Sequence, residues 1–104
     1  MFVNIIDSYR YIVAICDKEL IGKKFEEGKF QLDVKENFYK SKPISEQTPK
    51  TKEEILNIIK KMDIEDATFN IVGKRSTETA IEAGIITSDQ VGEIQGIPYA
   101  LVLL

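Results

Sequence analysis

Residues 51–62 leave the chain little choice of local structure. Thr51-Lys52-Glu53-Glu54 places a hydroxyl three positions before a carboxylate. That is the pattern of a capping box, in which each side chain satisfies an orphan backbone N–H of the other residue. Ile55, Leu56, Ile59 and Met62 then recur at the spacing of one helical face. The spacing predicts a helix over about 51–62, and any sheet the chain forms has to cover that apolar stripe.

The flanking residues supply the sheet. Phe2-Val3-Asn4-Ile5-Ile6 and Arg10–Cys16 are apolar and β-branched, with turn chemistry at Asp7-Ser8-Tyr9 between them, so a hairpin is expected. Asp17-Lys18-Glu19-Leu20-Ile21-Gly22 suits one short helical turn, with Asp17 as its N-cap and Gly22 in the left-handed closing position. Glu26-Glu27-Gly28 reads as a turn, and Lys29–Val34 alternates polar and apolar as a half-buried strand does. Lys40–Lys50 holds Pro43 and Pro49, with Ile44 as its only strong apolar anchor, and is the least ordered stretch. Asp66–Val72 predicts a strand that ends at Gly73. A second helix follows, with Ala80, Ile81 and Ala83 inward, closed by Gly84 and Ile85 in a Schellman motif. Thr87-Ser88-Asp89 is a turn, and Val91–Ile94 and Tyr99–Leu104 form two last strands. Tyr99–Leu104 lacks alternation, which suits a strand buried on both faces. The expected class is α/β (α+β-like): a mixed β-sheet with two main helices and N-terminal and C-terminal β-hairpins.

Composition excludes much chemistry. The chain has 104 residues, one domain's length, so 1–104 is expected to form a single domain. It contains no histidine and one cysteine, so neither a Ser-His-Asp nor a Cys-His centre can be built within it. One cysteine without histidine cannot make a structural zinc site either, and no metal or cofactor is expected. The adjacent acidic pairs Glu26-Glu27, Glu53-Glu54 and Glu65-Asp66 point apart on any regular element, so none makes an acid/base dyad. The first residues, without a basic region and with an acid at Asp7, are not expected to act as a signal peptide, no apolar run reaches membrane-spanning length, and a single thiol suits a reducing compartment. A cytoplasmic protein without membrane contact is expected. Net charge is −3, carried by residues 51–104, so contact with nucleic acid would have to come from a local patch.

The best such patch is Gly73-Lys74-Arg75-Ser76-Thr77, at a strand-to-helix junction. A helix N-terminus offers unpaired N–H groups and a positive dipole end. Gly73 permits close approach, Ser76 and Thr77 add hydroxyls, and Lys74 and Arg75 add charge, which together suit a phosphate. The plain alternative is a turn, a serine cap and two solvated cations. It is not a Walker A loop, since no glycine precedes it at the required spacing and Arg75 stands where Ser or Thr is needed. Secondary candidates are Cys16, Asp17 and Lys23, a thiol beside a helix start and a lysine. Against them stand the apolar run that Cys16 ends and the thiol-raising charge of Asp17. Lys40 and Lys42 belong to a lysine-rich stretch beside Phe38 and Tyr39, where aromatics and cations could track a nucleic-acid strand or simply pin and solvate the segment.

Several stretches share an order with a known family. Cys16-Asp17, Glu19-Leu20, Gly22-Lys23, Phe25, Glu27-Gly28, Phe38-Tyr39, Ile71–Arg75, Ala80–Ile85 and Gly96–Ala100 together resemble the small archaeal family called domain of unknown function 424. The resemblance spans nearly the whole chain. It implies an archaeal cytosolic protein with a compact α/β fold, and it brings no substrate, cofactor or catalytic residue. One departure is Tyr99, which stands where members often carry a histidine after the proline, so histidine chemistry at that corner is not expected here.

The sequence therefore points to binding rather than catalysis. The leading expectation is a module contacting RNA or a ribonucleoprotein through Gly73–Thr77. Its rivals are a protein–protein adaptor or homodimer using the apolar C-terminal strand, and a small enzyme built on Cys16, Asp17 and Lys23.

Overall fold

The structure is a computed structural model and describes residues 1–41, 43 and 46–103. Lys42, Ile44, Ser45 and Leu104 lie outside the described residues. The expected N-terminal hairpin forms from β1 (Phe2–Ile6) and β2 (Ile12–Cys16), paired antiparallel from Phe2↔Cys16 to Ile6↔Ile12. A 3₁₀ turn, Lys18–Leu20, leads to β3 (Lys24–Glu27), β4 (Phe30–Asp33) and a single helical turn, α1 (Glu36–Tyr39). The long helix α2 (Lys52–Ile64) starts at Thr51, and both arms of its capping box are made. β5 (Thr68–Val72), α3 (Lys74–Ala83), a 3₁₀ turn at Ser88–Gln90, β6 (Gly92–Ile94) and β7 (Ile97–Val102) complete the order.

Five strands make a mixed sheet in the order β1-β2-β5-β7-β6, and β3 and β4 pair apart from it as a two-stranded sheet. β2 and β5 are parallel neighbours, and every other pairing is antiparallel. This is an α+β fold with a mixed sheet, as the pattern predicts. Alternation along the strands divides the core in two. Val3, Val13, Ile15, Phe69 and Ile71 face Ile55, Ile59 and Met62 of α2 and Ala80 of α3. Phe2, Ala14, Cys16 and Val72 face the other way, against Leu20, Val34 and Tyr39. The helices thus cover one face, and the small sheet with α1 covers part of the other.

Four local expectations need correction. Glu26 and Glu27 lie in strand β3 rather than in a turn, which falls at Gly28-Lys29 instead. Phe30 is 68% exposed, so the alternation of residues 29–34 does not bury it, whereas Leu32 is half-buried and Val34 fully buried. Ile81 is exposed, because the buried face of α3 runs through Ser76, Thr77, Thr79 and Ala80, and Ile81 falls beside that stripe. β7 is not buried on both faces. Its pairing with β6 stops at Tyr99, and Leu101 and Leu103 stand 56% and 71% exposed. The predicted Schellman closure does form, with Ile85 N–H donating to the Ala80 carbonyl at 3.3 Å and Gly84 at φ 82°.

Candidate functional site

The carboxyl ends of β2 and β5 lie side by side, Cys16 opposite Val72. From there the chain departs in opposite directions. After β2 it builds the layer containing Leu20, Val34 and Tyr39, and after β5 it enters α3 on the far face. Adjacent parallel strands whose continuations cross to opposite faces make a topological switch point, the place where open sheets with helices tend to bind ligands. The first residues past the two strands are Asp17 and Gly73, so the switch point coincides with the junction singled out in the sequence.

Asp17 fills the end of α3. Its buried carboxylate accepts from the Ser76 N–H at 2.8 Å, the Ser76 hydroxyl at 2.7 Å and the Arg75 N–H at 3.1 Å. A negative charge at a helix N-terminus is favoured by the dipole, and the three donors are charge-assisted. Gly73 makes room for it. Its φ of 112° lies where side chains rarely go, and a Cβ there would stand 2.3 Å from Asp17 Cγ. Gly73 N–H donates to the Pro98 carbonyl and Asp17 N–H to the Val72 carbonyl, which ties both loops to the sheet.

This arrangement alters the expectation for 73–77. Ser76 is buried and gives its amide and hydroxyl to Asp17 rather than to a phosphate. The buried Thr77 hydroxyl donates to the Gly73 and Lys74 carbonyls. The anion seat is real, and an internal carboxylate holds it. Only the side chains of Lys74 and Arg75 remain outside, both exposed, and among the described residues neither pairs with a carboxylate. Asp17 does not cap its own turn as predicted, since its side chain makes no bond there.

Of the secondary candidates, Cys16 and Asp17 are neighbours in the chain, and the Asp17 carboxylate is already taken up by α3. Cys16 is fully buried, and burial first, then Asp17, pushes its thiol up to about 12. A thiol held protonated is a poor nucleophile. Lys23 is exposed, and among the described residues its side chain makes no ion pair with Asp17. Lys40 Nζ lies 4.5 Å from the centroid of the Phe2 ring and 3.5 Å from Glu36 Oε2. Phe38 and Tyr39 meet edge to face at 5.1 Å, and Tyr39 is buried in the second core, so these aromatics pin the segment. Lys42 lies outside the described residues. Among the described residues no group of three or more metal-ligating side chains gathers. Among the described residues no helix is long and apolar enough to cross a membrane.

Asp17 was visible as a capping residue but not as the cap of α3. The available signal was a gap, because Gly73 stands at a helix start where Ser, Thr, Asp or Asn would be usual.

The family model described as "Protein of unknown function (DUF424)" matches residues 6–104. This chain belongs to that family. No curated protein matches it. The DUF424 chain is also similar to an uncharacterized conserved protein from Methanopyrus kandleri, known from a crystal structure. The TM-score is 0.81 at 20% identity, covering 97% of this chain and 88% of that one. At that identity the likeness speaks for the fold alone. The motif stretches Cys16-Asp17 and Ile71–Arg75 of the DUF424 resemblance are the two sides of the Asp17 seat.

Proposed function

We propose that this DUF424 protein is a non-catalytic binding module that contacts phosphate-bearing RNA or a ribonucleoprotein in the cytoplasm through the side chains of Lys74 and Arg75. The observation that carries the reading is the pair of exposed, unpaired cations at the mouth of the switch point. Because Asp17 already occupies the helix amides, the contact is made by side chains and is electrostatic. Such contact is salt-sensitive, each neutralised phosphate adding about 0.7 to the logarithmic salt slope on a single strand.

A second reading, a protein partner or second copy on β7, has its own support. Leu101 and Leu103 are exposed beyond the last β6 pairing, and no charged residue guards Ile97–Leu103. One experiment separates the two. Tagged protein is retained from an archaeal lysate at low salt, with and without nuclease, beside a Lys74→Glu/Arg75→Glu variant. The RNA reading expects nuclease-sensitive retention that drops about tenfold in the variant and fades as salt rises. Retention unchanged by the double reversal removes it. Nuclease-resistant recovery of one protein, lost with Leu101→Lys/Leu103→Lys, supports the β7 reading.

A further inference from the structure

We draw no further inference here: the strongest candidate, the open cleft beside the β1–β2 turn that is lined by Asp7, Tyr9, Arg10, Tyr11, Glu65 and Asp66, is a set of exposed acidic side chains with one exposed cation, and nothing else in the structure shows what would occupy it.

Discussion

The two long helices begin in opposite ways. α2 is started by its own sequence: Thr51 Oγ1 accepts from the Glu54 N–H, Glu54 Oε1 accepts from the Thr51 N–H, and both residues are exposed. α3 has a glycine at the corresponding position and borrows its cap from Asp17, 59 residues before Ser76, in a buried setting. A local cap can be replaced by water when it is lost. A remote, buried one cannot, so its loss exposes donors that have no substitute partner. The lesson is that similar hydrogen bonds differ in cost according to what surrounds them and how far along the chain the partner lies.

The hardest way to break the remote cap is Gly73→Ala. The added Cβ meets the Asp17 carboxylate at 2.3 Å on a backbone already at φ 112°, and the expected loss is about 3–5 kcal/mol, read from the urea midpoint. Asp17→Ala follows at about 2–4 kcal/mol, because the Arg75 and Ser76 amides and the Ser76 hydroxyl lose their acceptor. Combining the two sharpens the point. Once the carboxylate is gone, Gly73→Ala should cost only the positive-φ strain, so the pair is expected to be strongly non-additive. Additive losses would mean that Gly73 serves something other than room for Asp17.

The neighbouring thiol extends the comparison to pH. Folded Cys16 titrates at about 12 against 9.0 for the free group, and burial moves Tyr39 from 10.0 to about 12. The folded state therefore keeps protons that the unfolded chain releases. Stability is fully present below about pH 9 and declines as pH rises toward 12. Denaturation midpoints measured across that range should fall, and Cys16→Val should flatten the fall. A thiol reagent at neutral pH should leave the native protein unmodified.

The smallest effect belongs to the local cap. Thr51→Ala should cost about 1 kcal/mol. Hydrogen bonds from Thr51 hold the Glu54 carboxyl below its ordinary 4.5. A lowered carboxyl pKa contributes above that value and is lost as pH falls through the folded one, so the box weakens only in acid. An NMR titration of Glu54 should show only a partial upward return of its pKa in Thr51→Ala, because the larger cause, the Thr51 backbone N–H, survives the substitution. A full return to the ordinary value would mean that the hydroxyl, not the amide, holds the carboxyl down.

What could be read from the sequence follows the same division between local and remote. The Thr51 box and the Gly84 closure depend on residues within a few positions of one another, the β1–β2 hairpin on two strands joined by one short turn, and each forms as its spacing dictates. β3 escaped because Lys24-Phe25-Glu26-Glu27 offers a single apolar residue, and a two-stranded sheet wet on most of its surface imposes little alternation. α1 spans four residues, too few to show a period. The uniform apolar run at the C-terminus looks the same whether or not a neighbour covers it, and the neighbour stops at Gly92, opposite Tyr99. At the candidate site the location was legible, since strand, glycine, cations and hydroxyls mark a junction. Its occupant was not, because no sequence window contains both Asp17 and Ser76.

The parallel pairing of β2 with β5 has a consequence for the order of events when the protein opens. Asp17 reaches α3 only while Cys16 stays in register with Val72. The first turn of α3 thus has no independent life. It frays when those two strands separate, a subglobal transition, whereas the first turn of α2 can unwind and rewind alone while the rest of the molecule stays closed.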